Sequence, residues 1–194
     1  MRVSTQIAFK EWAVVVDALG RGEQLLILRK GGLHESHGQF QVEHHGFWLF
    51  PTQYHEAEQH VLPAQHARVR ELAAHDPGAP IPIHYYAVAD PVLPITDAAL
   101  LDRLTGHHIW TTATLRQRFA YGNAPGLHAL VVRVYRRPSP VTIPWHKNYG
   151  GCRSWVTLES PLTGDVTPVL PDDTFTARQD QLCQLLEPHA LAHS

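Results

Sequence analysis

Eight cationic side chains lie in a stretch of the chain that contains no acidic residue. This stretch, which we call the basic segment, runs from Arg103 to Leu158. It carries a charge of +8, whereas the remaining residues together carry −10. Cations and aromatic rings in one segment are typical of surfaces that bind single-stranded or flexible nucleic acid, because cations contact phosphates and rings stack on bases. The aromatic residues of the basic segment are Trp110, Phe119, Tyr121, Tyr135, Trp145, Tyr149 and Trp155.

The charge pattern predicts an anion-binding surface, and nucleic acid is its leading ligand. In this hypothesis Lys147 and the arginines contact phosphates, while Tyr149 or Trp155 stacks on bases. An alternative interpretation is that the aromatic residues form the core and the arginines form a solvated rim. The predicted contact residues are Arg29, Lys30, Thr52, His55, Arg118, Arg133, Arg136, Lys147, Tyr149, Arg153 and Trp155.

Two of these arginines, Arg29 and Arg133, continue runs of apolar strand residues. A buried guanidinium is costly unless it is paired, so each either bridges a carboxylate or faces a cleft where it meets an anion. Both interpretations stay open from the sequence. Lys30 precedes two glycines, and a cation beside free backbone N–H groups has the ingredients of a small anion nest. The carboxylates available to the two arginines are Glu11, Asp17, Glu43 and Asp90.

Thr52 and His55 lie at the start of a predicted helix, where unpaired N–H groups favour a phosphate. A simple N-cap is the alternative role for Thr52. A second functional hypothesis is an enzyme that acts on a small phosphorylated or carboxylated metabolite, in a pocket between Arg29, His55 and Arg133. A third is an interaction module whose basic face meets its own acidic C-terminal helix or that of a second copy, which would allow a homo-oligomer.

No motif in the chain specifies a reaction, a metal or a cofactor. The 15 histidines are scattered without the spacing of zinc ligands, and the P-loop spacing is absent. We therefore predict no metal and no cofactor, and the sequence names no catalytic residue. Cys152 lies beside Arg153 and could have an activated thiol, although a buried structural cysteine is the simpler interpretation.

The overall composition is that of a soluble globular protein of 194 residues, with 44% hydrophobic and 18% charged side chains. No apolar stretch reaches the length of a membrane span, and no signal-peptide pattern is present at the start. Two cysteines are too few for a disulfide framework and favour a reducing compartment. These features predict a cytoplasmic protein that does not enter the membrane.

The periodicity of apolar residues predicts alternating helices and strands. We expect an α+β fold, a single compact domain with a mixed or antiparallel sheet flanked by helices. Prolines mark the strand at 81–89 as an edge or a connector, and any sub-division of the domain would lie near residues 76–96. Residues 33–46 are expected to form a loop or a weak hairpin. Predicted helices span 6–19, 53–62, 63–75, 96–104, 110–122 and 174–188, and predicted strands span 24–30, 46–52, 81–89, 127–138 and 153–158.

An ordered series of short motifs resembles a known family. The motifs are KEWAVVVDAL, LLILRKGG, FWLFPTQYH, LVVRVYRRP and YGGCRSWVTL, and together they resemble the bacterial family called domain of unknown function 1802. The resemblance runs from about Ala8 to Leu158 and implies a single domain associated with restriction or other DNA-processing systems, with no particular activity. The positions that match are Arg29, Lys30, Gly31, Gly32, Pro51, Thr52, His55, Arg118, Phe119, Arg133, Gly151, Cys152, Ser154 and Trp155.

Overall fold

In the part of the chain that the computed structural model describes, a seven-stranded mixed sheet and six helices form the fold. The structure describes residues 1–30, 34–36, 39–41, 44–53, 57–73, 78–151 and 153–187. The strands are β1 (Arg2–Trp12), β2 (Leu26–Arg29), β3 (His34–Ser36), β4 (Gln39–Gln41), β5 (Gly46–Thr52), β6 (Ile81–Ile95), β7 (Leu127–Ile143), β8 (Trp155–Asp165) and β9 (Thr167–Pro168). The helices are α1 (Ala13–Gly20), α2 (Ala57–His60), α3 (His66–Ala73), α4 (Ala99–Arg103), α5 (Thr112–Ala120) and α6 (Asp172–Leu186).

The sheet has the strand order β2-β7-β6-β5-β1-β8, and β9 pairs with β7. Only β1 and β5 run parallel within it; the other pairs are antiparallel. β8 is the last strand at one edge of the sheet. β9 follows β8 directly in the chain and pairs with β7, near the opposite edge. The strands β3 and β4 form a separate hairpin within the stretch predicted to be a weak hairpin. The prediction of a single α+β domain with a mixed sheet is confirmed.

The N-terminal segment corrects the predicted helix at 6–19. Residues up to Trp12 form β1, which is held between β5 and β8, and only the apolar run that follows forms α1. Within β1, Ala8 and Phe9 are both fully buried, because each face of the strand packs against a different part of the core. Strand pairing on both edges therefore outweighs the helical spacing of the apolar residues.

The strand β6 corrects the prediction of an edge or a connector. It lies between β5 and β7, in the middle of the sheet, and extends through three prolines, Pro82, Pro91 and Pro94. Residues 86–88 pair with both β5 and β7, whereas the three prolines lie outside this stretch, in parts of β6 that pair with β7. A missing N–H donor at those positions therefore costs no hydrogen bond to β5. Because β6 pairs with strands from both halves of the chain, one sheet spans the proposed sub-division near 76–96. The next strand, β7, likewise continues beyond Pro138.

The predicted helix after β5 is shorter than expected. Thr52 is the last residue of β5 rather than a helix N-cap, and its hydroxyl donates to the carbonyl of Glu11 at 3.1 Å. The described part of the helical stretch is α2, followed by a 3₁₀ turn at Pro63–Gln65 and then α3. Among the described residues, no helix is both long and apolar enough to cross a membrane.

The core consists of two clusters of apolar side chains. The larger cluster packs one face of the sheet against α1, α5 and α6, and the smaller cluster lies on the opposite face. Alternation along β5 illustrates this division, because Phe47 and Leu49 belong to the larger cluster while Trp48 and Phe50 belong to the smaller. The predicted inward residues of α6 include Leu182 and Leu186, and both are buried.

Candidate functional site

A cavity of about 690 Å³ opens between α1, α3 and the ends of β1, β5 and β6. This volume lies within the range of small-molecule sites. Much of its wall is apolar, formed by residues that include Phe50, Pro51, Leu72, Pro80, Ile81 and Pro82. A few polar and aromatic side chains line the remainder, among them Lys10, Asp17, Arg68, His84, Tyr85, Trp145 and Tyr149. A mostly apolar wall with a small number of polar groups is the usual construction of a binding site.

Lys10 connects the cavity to the loop at its mouth. Its register partner in β5 is Phe50, which also lines the cavity. The Lys10 ammonium donates to the carbonyl oxygens of Tyr149 at 2.7 Å and Gly151 at 2.6 Å. The Tyr149 side chain is buried and packs edge-on against the Phe50 ring, with centroids 5.4 Å apart. Lys10 therefore acts as a strut between β1 and this loop.

The register shift in β6 brings two consecutive side chains to the cavity. His84 and Tyr85 both line it, although neighbours in a regular strand point to opposite faces. Burial, together with the positive charge of Arg136, lowers the pKa of His84 below its ordinary value of 6.5. The imidazole is therefore mainly neutral at pH 7 and presents one donor and one acceptor.

Arg136 also supports the wall of the cavity from behind. Its guanidinium lies 5.7 Å from the Tyr85 ring centroid and donates to the carbonyl of Gly20 at 2.6 Å. Gly20, the last residue of α1, allows this arrangement, because a Cβ there would lie 2.1 Å from the Tyr85 ring. The absence of a side chain at Gly20 thus lets Tyr85 pack against the end of α1.

An ion-pair network joins α1 to α3 at another wall of the cavity. Arg68 contacts Asp17 and Glu71, each at 2.5 Å, and Arg21 contacts Asp17 at 2.9 Å. Hydrogen bonds to Asp17 and Glu71 raise the pKa of Arg68 above its ordinary value. The charge of Arg68 is consequently matched by carboxylates within the protein.

The segment that contributes Trp145 and Tyr149 to the cavity also carries exposed cations. We call residues 145–151 and 153 the mouth segment; Cys152 lies outside the described residues. Trp145 lines the cavity and is 49% exposed. The side chains of Lys147 and Arg153, two and eight residues further along the chain, are exposed. Of the predicted contact residues, Thr52 and Tyr149 also line the cavity.

Arg29 lies on the other face of β1 from Lys10. Its guanidinium is 3.7 Å from the carboxylate of Glu11, which is 3% exposed, and 4.6 Å from the Phe9 ring centroid. Trp155 packs against the same Phe9 ring, with centroids 4.7 Å apart. Arg29 therefore takes part in an ion pair with Glu11, and Trp155 packs on the larger core cluster.

Lys30 and Arg118 have contacts that stabilise the region around α5. The Lys30 ammonium donates to the carbonyls of Phe119, Ala124 and Gly126, at 2.9, 2.5 and 3.0 Å. The Arg118 guanidinium lies over the Trp110 ring at 3.8 Å from its centroid, and it also contacts the ring of Trp12. The two glycines proposed to form an anion nest with Lys30 lie outside the described residues.

Arg133 is bound to the C-terminal helix. It donates to the Asp172 carboxylate, and its guanidinium lies 5.0 Å from the ring centroid of Phe175 in α6. Arg29 and Arg133 thus contact different carboxylates on different elements, and neither lines the 690 Å³ cavity. His55, the third residue of the pocket hypothesis, lies outside the described residues.

A family model described as domain of unknown function (DUF1802) matches residues 8–181. The chain belongs to this family. The match includes every residue that lines the cavity and extends into α6. No curated protein matches the DUF1802 chain at a significant level. A solved structure described as ASCH from Zymomonas mobilis has 12% sequence identity, covers 79% of this chain and 87% of its own, and has a TM-score of 0.46. This degree of similarity assigns no function to the DUF1802 protein.

Several cavity residues of this DUF1802 protein were missing from the predicted set. Lys10, Asp17 and Arg68 had no distinctive spacing, and the helix predicted at 6–19 put Lys10 on the wrong kind of element. His84 and Tyr85 did leave a signal. The apolar alternation of the sequence IPIHYYAVA breaks at HYY, where the register of β6 shifts.

Proposed function

We propose that the protein binds single-stranded or otherwise flexible nucleic acid along the mouth segment. The observation that carries this proposal is the combination of exposed Trp145, Lys147 and Arg153 on one segment, which lines a cavity through Trp145 and Tyr149. Cations that neutralise phosphates and rings that stack on bases together provide affinity that depends little on sequence. DNA and RNA both offer these groups, and the cytoplasm is the compartment that we propose.

The basic segment supports the proposal through the cations whose contacts leave their charge uncompensated. Arg116 and Arg133 pair with the carboxylates of Asp102 and Asp172 and thereby lose most of their long-range field. Arg136 instead contacts a carbonyl oxygen, which has no formal charge, so its positive charge persists behind the Tyr85 wall. Together with the mouth segment, Arg136 makes this side of the molecule attractive to phosphates.

The proposal is tested by the salt dependence of binding. Fluorescence anisotropy would compare labelled single-stranded DNA, single-stranded RNA and duplex DNA over a range of salt concentrations. If Lys147 and Arg153 each contact a phosphate, the K147A/R153A variant should bind single strands more weakly, with a salt slope smaller by about 1.4.

The matched control is the R2A/R116A variant, which also removes two exposed arginines. Arg116 pairs with Asp102, and neither residue belongs to the mouth segment, so this control should bind as the wild-type protein does. The proposal fails if the wild-type protein does not bind at low salt, or if both double variants weaken binding equally.

A second candidate function is the binding of a small phosphorylated or carboxylated metabolite inside the cavity. The concave shape and the small number of polar groups in the mostly apolar wall favour this candidate. Such a ligand would raise the melting temperature, because it binds only the folded state. Stabilisation by small anions without any binding of oligonucleotides would favour this function over the first.

A further inference from the structure

We infer that the cavity accepts one unstacked nucleobase from the bound strand, while the phosphates of that strand remain outside on the mouth segment. This inference rests on the proposed function and adds to it what the interior of the site recognises. It follows from three features of the described residues: the composition of the wall, the pairing of the interior charges, and the exposure of the cations on the mouth segment.

The wall of the cavity suits a flat heteroaromatic group. Tyr85 and Tyr149 line it, and Trp145 stands half-exposed at the opening. Much of the remaining wall is apolar, with prolines at three positions, so it offers contact surface but few hydrogen bonds. A nucleobase gains from burial against such surfaces because every base has an apolar π-face.

The interior charges disfavour a phosphate. Arg68 is paired with Asp17 and Glu71, and the Lys10 ammonium is engaged by two carbonyl oxygens. A phosphate that entered would have to displace these partners and would lie near the Asp17 carboxylate, which also lines the cavity. A neutral base meets no such cost, since burying an uncompensated charge is far more expensive than burying a neutral ring.

Polar recognition inside the cavity is available from neutral groups. His84 is mainly uncharged at pH 7, because burial and Arg136 lower its pKa, and its ring offers both a donor and an acceptor to the edge of a base. Gln53 lines the same cavity and donates to the carbonyl of Leu72 at 2.7 Å, which leaves its side-chain oxygen as an acceptor. These groups match the mixed donors and acceptors of a nucleobase rather than an anion.

The geometry therefore separates two tasks. The exposed Lys147 and Arg153 hold the backbone, and the cavity holds the base. The test uses two labelled strands of equal length. One strand consists wholly of abasic residues, and the other is identical except for a single central base. The two strands carry the same phosphates, so any difference in affinity measures the contribution of one base.

The wild-type protein should bind the strand with one base about tenfold more tightly than the wholly abasic strand. The substitution Ala79→Trp, in the loop before β6, is designed to fill the cavity. This variant should bind both strands equally, with the affinity that the wild-type protein has for the wholly abasic strand. The control Ala120→Trp places the same side chain on an exposed position at the end of α5 and should retain the tenfold difference. Circular dichroism would verify that both variants are folded.

A second readout does not require a strand. Uncharged nucleosides should quench tryptophan fluorescence in the wild-type protein but not in the Trp145→Phe variant, whereas ribose 5-phosphate should have no effect on either. Equal binding of the two strands by the wild-type protein would overturn the inference while leaving the proposed function intact. Failure of both strands, and of ordinary oligonucleotides, to bind at low salt would overturn the proposed function itself.

Discussion

Replacing Lys10 by methionine should loosen the mouth segment without disturbing the core. The substitution keeps the length of the side chain and removes the ammonium that donates to the carbonyls of Tyr149 and Gly151. A hydrogen bond from a charged donor contributes about 1.5–3 kcal/mol. The Gly151 bond is exposed and its carbonyl can bind water instead, so the two bonds together should be worth about 2 kcal/mol. For a chain of this size the melting temperature should fall by about 4–8 °C.

The same substitution should weaken the binding of single-stranded nucleic acid. If Lys10 positions the loop that carries Trp145 and Lys147, this loop is less ordered in the free Lys10→Met variant. Binding must then also supply the free energy that orders the loop, so the affinity should fall by about 2–10-fold. The two effects are measured separately, by thermal unfolding and by anisotropy at a temperature at which the variant is folded. Limited proteolysis would locate the loosened region.

The matched control is Lys147→Met, which removes an exposed ammonium from the same segment. It should leave the melting temperature unchanged and weaken binding through the loss of one phosphate contact. The interpretation of Lys10 as a strut is refuted if Lys10→Met has the same melting temperature as the wild-type protein and is cleaved by the protease at the same sites. It is also refuted if Lys147→Met destabilises the fold as much as Lys10→Met does.

Three further predictions concern the stability of the fold. Glu11→Gln should lower the free energy of unfolding by about 2 kcal/mol, because it removes the charge that pairs with Arg29. This value is below the usual cost of breaking a buried pair, since Arg29 is partly exposed. Urea denaturation measures the effect, and an unchanged midpoint would contradict the prediction. Asp172→Asn should lower it by less than about 1 kcal/mol, because the Asp172 partner of Arg133 is 84% exposed. Burial lowers the pKa of His108 to about 4, so the unfolded state binds the proton first as the pH falls below 6.5, and stability should decrease by roughly 3 kcal/mol down to pH 4. His108→Phe should remove this loss of stability, which melting temperatures measured from pH 7 to pH 4 would detect. If the melting temperature of the variant falls with pH as steeply as that of the wild-type protein, other groups cause the loss.

Local patterns predicted those elements that local interactions determine. The helix α5 has Thr111 as its N-cap and buries Leu115 and Phe119, as its spacing indicated. The alternation of β7 and the apolar stripe of α6 were likewise visible in the sequence. For these segments the preference of the chain and the environment in the fold agree.

Elements whose state depends on distant partners were predicted less well. β1 has the spacing of a helix, but pairing with β5 and β8 holds it as a strand. β6 contains prolines that are typical of an edge, yet its residues 86–88, which lie between those prolines in the chain, pair with both β5 and β7. In both cases the deciding interactions come from strands far away in the chain, and a window of neighbouring residues contains no information about them.

The candidate site illustrates the same limit in terms of charge. The basic segment marks eight cations as equivalent, but the fold divides them according to their partners. Arg133 pairs with the carboxylate of Asp172 in α6, which compensates its charge. Arg136 donates to a carbonyl oxygen, which leaves its positive charge uncompensated. A count of charges in the sequence therefore does not separate the cations that are paired with carboxylates from those that keep their charge. The charge that can attract a ligand is the charge that remains after internal pairing, and that remainder depends on contacts which the sequence does not display.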